Sequence, residues 1–179
     1  MAEVAKKTNY TNKDLFYAVF NVDIGWVGIL ASRQGLLTIT LPQRSSQQAR
    51  RALSDRIKYA IWSPQHFDNL IERLKAYFSG HKVEFSDELD LSEATTFERE
   101  VWEIAKHIPY GETKSYTWIA TQIRKPAAVR AVGQALGRNP LPIIIPCHRV
   151  LTIHGSLGGY AGGVEMKRVL LRLETSARM

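Results

Sequence analysis

A chain of 179 residues can form one domain or two small ones, and 45% apolar against 23% charged residues fits a globular protein with a core of its own. Its single cysteine excludes an internal disulfide and a multi-cysteine zinc site, and suits a reducing compartment. The formal net charge of +7 favours a polyanionic partner, while no apolar run is long enough to span a bilayer and the opening Met1–Lys7 lacks a signal-peptide core.

In chain order, residues 15–20 read as a strand. Residues 26–30 and 36–41 flank Ser32-Arg33-Gln34-Gly35, a hairpin signal, and Pro42 ends the second run. Residues 43–58 are polar and arginine-rich and read as either a helix or a loop. Phe67, Leu70, Ile71, Leu74 and Phe78 recur at helical spacing over 66–79, and Gly80 stops that helix. Residues 84–93 carry Glu84, Asp87, Glu88, Asp90 and Glu93 with no basic residue. That shift in composition places a boundary between a supporting domain, 1–90, and a second domain, 91–179.

The second domain opens on Thr95-Thr96-Phe97-Glu98, a capping-box signature. Val101, Ile104, Ala105 and Ile108 mark one face of the helix that follows, which Pro109 and Gly111 end. Ser115 can cap a short helix carrying Ile119, Ala120 and Ile123. After a turn through Arg124-Lys125, Pro126 suits the first position of another helix. Its inner face is Val129, Val132 and Leu136, and Gly137 reads as its cap. Two short helices on a tight turn fit a helix-turn-helix; on pattern alone a plain helical hairpin fits as well.

The outer face of the second helix presents Ala127, Ala128, Ala131 and Ala135, with Arg130 as its one long side chain. Major-groove readers present long polar side chains to base edges. Small residues instead permit close approach to a backbone in a narrow groove. Between Gly111 and Val150 six Lys/Arg face a single acid, Glu112, so the positive charge concentrates on this helical pair. The four tryptophans read as core residues, and His66, His81, His107 and His154 show no metal-ligand spacing.

Cys147 lies in Ile143-Ile144-Ile145-Pro146-Cys147-His148-Arg149-Val150. A thiol reacts as its thiolate, and neighbouring cationic or basic groups raise that fraction. Here an imidazole and a guanidinium follow directly, and the apolar run before the sulfur reads as buried. From this window alone, a buried structural thiol is an equal alternative to a nucleophile. In an extended segment Cys147 and His148 point to opposite faces, so they would not touch directly. Met166, Val169, Leu170 and Leu173 mark the inward face of a final helix that ends near Glu174.

The ordered set Pro109-Tyr110-Gly111-Glu112-Thr113, Ser115-Tyr116, Arg130-Ala131-Val132-Gly133, Arg138-Asn139-Pro140, Pro146-Cys147-His148-Arg149-Val150 and Gly158-Gly159-Tyr160-Ala161-Gly162-Gly163 closely resembles the O6-alkylguanine-DNA alkyltransferases, also called methylated-DNA–protein-cysteine methyltransferases. The match runs from about Phe97 to Glu174. It implies a suicide enzyme that moves a methyl or larger alkyl group from O6 of guanine, or O4 of thymine, to Cys147, once per molecule and without cofactor or metal. His148 and Glu174, with a bound water, would carry the thiol proton away. Tyr116 would rotate the target nucleotide and donate a proton to the guanine ring. Val150 and Cys147 carbonyls would accept from the exocyclic amine, and Tyr160, Ala161 and Gly162 would line the pocket, with Ala161 where the family often has serine. Asn139 would tie the helical pair to the active segment.

The implied partner is double-stranded DNA, bound through the minor groove by a monomer with the target base flipped out. Arg130 takes the place of that base, and Ala127, Ala128, Ala131 and Gly133 lie against the backbone; Thr117, Lys125 and Ile153 occupy further DNA-contact positions. The implied fold is an α/β N-terminal domain, with a small antiparallel sheet plus helix in a ribonuclease H-like arrangement. A mostly helical C-terminal domain with the helix-turn-helix follows. The implied location is the cytoplasm, or the nucleus in a eukaryote. A DNA-binding protein that does not react and a cysteine hydrolase are the competing functions; single-equivalent kinetics separate them from alkyl transfer.

Overall fold

The computed structural model describes residues 14–176, so the reading of Met1–Lys7 lies outside the described residues. The chain divides into two compact units, Met1–Ala94 and Thr95–Met179.

The first unit is built on strands β1 (Leu15–Val22), β2 (Gly25–Ser32), β3 (Gly35–Ile39) and the two-residue β4 (Ile61–Trp62), in the order β3-β2-β1-β4. The expected hairpin is present between β2 and β3. A second one, between β1 and β2, pairs Leu15 with Ser32 and Val22 with Gly25. The sheet is not purely antiparallel, as expected from the resemblance, but mixed: β4 returns parallel to β1, with Phe16 opposite Ile61. A parallel return needs a crossover. The segment read as helix or loop supplies it, as helix α1 (Ser46–Ala52) and a 3-10 turn over Asp55–Tyr59. Ala49 and Leu53 are the buried face of that crossover, and Leu53 joins Leu15, Tyr17, Leu30 and Leu37 in one apolar cluster. Helix α2 (Asp68–Phe78) buries Leu70, Ile71, Leu74, Tyr77 and Phe78, and Gly80 follows it with φ +84°, a left-handed conformation that suits glycine. The return of Leu36 to Glu88 and Asp90 through backbone hydrogen bonds secures the acidic segment against β3.

The second unit begins at helix α3 (Thr96–Lys106). Its capping box is complete: the Thr95 hydroxyl accepts from the Glu98 N–H, and the Glu98 carboxylate accepts from the Thr95 N–H at 2.9 Å. Glu98 also accepts from Arg138 Nε at 2.6 Å, so one acid caps α3 and holds a residue forty positions further along the chain. Burial alone would raise the Glu98 carboxyl; the bonds from Thr95 and Arg138 outweigh it and hold it low. Thr95→Ala is expected to lower stability by about 1 kcal/mol, measured as the urea midpoint. Helices α4 (Tyr116–Gln122) and α5 (Val129–Gly137) pack on α3. The turn between them carries Arg124 at φ 58°, and Pro126 begins a 3-10 turn ahead of α5. Ser115 caps α4 through the Trp118 N–H.

Two expected positions differ. Ala135 is not on the outer face but fully buried, with its carbonyl accepting from Trp102 Nε1 at 2.9 Å. Gly137 is the last residue of α5, and Arg138 is its cap. The tryptophans divide as well: Trp102 is core, but Trp62 is 51% exposed. Helix α6 (Val164–Thr175) closes the unit, and a short parallel pair joins β5 (Lys114–Ser115) to β6 (Val150–Leu151). That pairing links the start of α4 directly to the segment following Cys147. Among the described residues, no helix is long and apolar enough to cross a membrane.

Candidate active site

Residues 141–150 are buried without interruption, as the apolar run predicted. The approach is a tight turn: Ile145 N–H donates to the Leu141 carbonyl, and Ile143 adopts φ 77°. A β-branched residue in the left-handed region costs on the order of 1–3 kcal/mol and persists only where its surroundings hold it. Here the holder is Asn139, at the end of α5. Its amide donates to the Ile145 carbonyl at 2.8 Å and to Cys147 Sγ at 3.1 Å, while its oxygen accepts from the Leu141 N–H at 2.9 Å.

Cys147–Arg149 is one 3-10 turn, not the extended segment expected, so the argument from alternating strand faces does not apply. Even so, the two side chains do different work. His148 is fully buried, with Nε2 2.7 Å from Glu174 Oε1. Arg149 clamps the same carboxylate, Nε to Oε2 and Nη2 to Oε1 each at 2.9 Å, and its Nη1 donates to the Ile108 carbonyl at 2.7 Å. The Gly111 N–H adds a fourth donor, 3.1 Å from Oε2. Burial pushes the Glu174 carboxyl up, but the bonds from His148 and Arg149 overcome it and bring it down to about 2. Glu174 is therefore an acceptor only, so the Nε2 of His148 carries the ring proton and Nδ1 keeps its lone pair. Burial depresses the imidazole, against the pull of Glu174, so the ring is neutral and basic at Nδ1.

The guanidinium beside the sulfur in sequence thus belongs to Glu174. The cation that acts on the sulfur is Lys167, which sequence reasoning missed. Lys167 is fully buried and donates to the Val150 carbonyl at 2.6 Å and the Leu157 carbonyl at 2.5 Å. Its ammonium lies 5.8 Å from the centre of each of the Tyr116 and Tyr160 rings. Burial lowers it to about 8, and the nearby sulfur pulls it back up. Burial raises the Cys147 thiol; Asn139, Tyr160 and Lys167 all act to lower it. The signal was available: Lys167, Leu170 and Glu174 stand at i, i+3 and i+7. They, rather than Met166, Val169 and Leu173, are the buried face of α6.

Cys147 sits in the wall of a cleft of about 520 Å³, within the range of small-ligand sites. Tyr116, Arg130, Gly133, Thr152, Gly158, Tyr160 and Ala161 also line it. Burial, then the sulfur, push the Tyr116 phenol up, so it stays protonated and able to donate. Gly158, at φ +64°, leaves room for it: a Cβ there would come within 3.2 Å of the Tyr116 hydroxyl. The buried Tyr160 hydroxyl has no hydrogen-bond partner. Gly162 is exposed in the loop beyond Tyr160.

The remaining positions differ in exposure. Arg130 and Ala127 are exposed, Ala128, Ala131 and Thr117 partly so, and Ile153 is 69% exposed. Lys125 instead pairs with Glu100 and lies 5.3 Å from the Phe97 ring centre. The Val150 carbonyl, expected to face the base, already accepts from Lys167, and the Cys147 carbonyl accepts from the Val150 N–H.

Residues 96–176 match the model of the 6-O-methylguanine DNA methyltransferase DNA-binding domain. A methylated-DNA–protein-cysteine methyltransferase of Mycobacterium bovis is 51% identical over 117 residues, 64% of this chain and 70% of its own. One of Methanosarcina acetivorans is 37% identical over 162 residues, 90% of this chain and 99% of its own. The crystal structure of Mycobacterium tuberculosis O6-methylguanine methyltransferase superposes with a TM-score of 0.77 at 39% identity, covering 92% of this chain and 95% of that one. A structure of the Mycobacterium tuberculosis protein in complex with DNA gives the same TM-score at 40% identity, covering 90% and 93%. With a buried thiol on the wall of the cleft, an imidazole and a clamped carboxylate buried behind it in the chain's own hydrogen bonds, and relatives of this likeness over nearly its whole length, the chain belongs to the methylated-DNA–protein-cysteine methyltransferase family.

Proposed function

We propose that this protein repairs DNA by direct reversal, transferring a methyl or larger alkyl group from O6 of guanine, or O4 of thymine, to Cys147 once per molecule. The observation that carries the reading is Cys147 on the wall of the cleft, beside a buried imidazole whose Nε2 proton is committed to Glu174. In the reaction the sulfur attacks the alkyl carbon as the carbon–oxygen bond breaks. The thiol proton passes through a bridging water to His148 Nδ1, and Glu174 stabilises the resulting cation. Tyr116 donates a proton to the departing guanine. The thioether that forms has no leaving group to restore the thiol, so turnover stops at one.

We read the α4–α5 pair as a helix-turn-helix that lies in the minor groove with the target base flipped into the cleft. Chemistry on a base inside a duplex requires such extrusion. Ala127 and Ala128 in the 3-10 turn, with Ala131 and Gly133 on α5, support close approach, and Arg130 on the cleft wall supports entry into the stack. Contacts through such residues are mostly to phosphates and independent of sequence. Tyr160 and Ala161 line the cleft, with Gly162 in the loop beyond them, which supports their reading as the base-binding loop. The sheet order of the first unit, three antiparallel strands with a parallel fourth, supports the ribonuclease H-like reading. The protein acts as a monomer wherever DNA is kept under reducing conditions.

Incubation with duplex DNA carrying one O6-methylguanine is expected to add a single methyl group to the peptide containing Cys147, as read by mass spectrometry, and to stop at one equivalent. An unmodified thiol would make this a non-reacting DNA-binding protein. Continued turnover would make it a hydrolase.

A further inference from the structure

The first unit carries a surface that neither its core nor the cleft uses. From Arg44 to Trp62 the sequence holds five basic residues against one acid, Asp55. Arg44, Arg50, Arg51 and Lys58 are all exposed, and no ion pair among the described residues includes them. Arg33, Arg56 and Arg73 of the same unit, by contrast, pair with Asp14, Glu93 and Asp87. Beside the unpaired cations lie Tyr59 and Trp62, each 51% exposed.

The two kinds of group are interleaved. The Arg50 guanidinium lies 5.7 Å from the centre of the Tyr17 ring, and that ring meets Trp62 edge-on at 5.2 Å. The Lys58 ammonium lies 5.6 Å from the Tyr59 ring centre. Trp62 stands on β4, the edge strand beside β1, which among the described residues has no strand on its other side. A single exposed ring or a solvated run of charge needs no explanation. Two half-exposed rings set among cations without acid partners form the combination that binds unpaired bases by stacking and their phosphates by charge.

We infer that the α1–β4 surface of the first unit binds single-stranded nucleic acid, with bases stacked on Trp62 and Tyr59 and phosphates held by Arg50, Arg51 and Lys58. The inference rests on DNA being the partner of this chain but not on the transfer chemistry.

The test is binding of a labelled oligothymidylate, which contains no guanine, to the full chain. Trp62→Ala with Tyr59→Ala is expected to weaken binding at least about tenfold. Arg50→Gln, Arg51→Gln and Lys58→Gln together are expected to reduce the slope of log affinity against log salt by about 2, roughly 0.7 for each lost phosphate contact. Both variants should keep the wild-type transfer rate on lesion duplex at saturating DNA, because neither touches the cleft. Unchanged affinity and slope in variants that still transfer at the wild-type rate would overturn the inference and leave the surface to a protein partner. A wild-type chain that binds as described yet never alkylates Cys147 would overturn the proposed function alone.

Discussion

Glu174→Gln is expected to lower stability by roughly 3–5 kcal/mol and to slow alkyl transfer by about 10²-fold or more. The stability loss follows from what the carboxylate holds. Arg149 is buried with two donors on Glu174, and His148 and the Gly111 N–H share the same oxygens. An amide cannot neutralise the guanidinium, and it offers one acceptor oxygen where two are used. The rate loss follows from His148: without an ionised partner at Nε2 the imidazolium that forms on accepting the thiol proton is no longer stabilised, and the tautomer is no longer fixed.

The pH dependence gives this prediction a distinct signature. The carboxyl is held at about 2 in the fold, against an ordinary value of 4.5. Its folded value lies below its unfolded one, so the stabilisation is fully present above 4.5 and is lost as pH falls from there towards about 2. Urea unfolding of wild type and variant should therefore differ by a gap that narrows as pH falls from 4.5 towards the folded value. Glu174 also pulls the His148 ring up against its burial, so the ring is harder to protonate in the variant and adds to the gap as pH falls through its ordinary range; the carboxyl is read below 4.5. A gap that stays constant down to the acid limit would mean that shape, not charge, sets the role of Glu174.

Lys167→Met is expected to slow transfer about tenfold at neutral pH while leaving the rate at high pH close to wild type. Lys167 is the one charged group among those that pull the buried thiol down; Asn139 and Tyr160 are neutral. Each unit by which the thiol rises is a tenfold loss of thiolate below its pKa. A pH–rate profile displaced to higher pH would be the result expected. Equal slowing at every pH would make Lys167 a structural tether of the Val150 and Leu157 carbonyls and nothing more. Stability carries a second mark. The ammonium falls from 10.5 in the unfolded chain to about 8 in the fold, so wild type gains stability as pH rises from about 8 towards 10.5. The methionine variant should lack that gain.

Local patterns proved sufficient where one residue and its near neighbours set the outcome. The capping box at Thr95, the stop at Gly80, the β2–β3 hairpin and the buried run before Cys147 all depend on contacts within a few positions. The parallel return of β4 was not legible. Two exposed residues carry no alternation, and their pairing with Phe16 and Tyr17 is decided by how α1 packs across the sheet. Ala135 was misplaced because an alanine suits either face of a helix, and only the bond from Trp102 shows which way it turns.

The chemistry divides along the same line. The type and order of the reactive groups, one thiol followed by an imidazole and, 27 positions on, a carboxylate, stand in the chain itself. So does the concentration of positive charge between Gly111 and Val150. Which cation serves which anion was a matter for the tertiary structure alone. Arg149 follows the sulfur in sequence but turns to Glu174, whereas Lys167 comes to the sulfur from α6, twenty residues away. Charge acts through space and is strongest where water is excluded, and exclusion of water belongs to the packed fold rather than to neighbours in the chain.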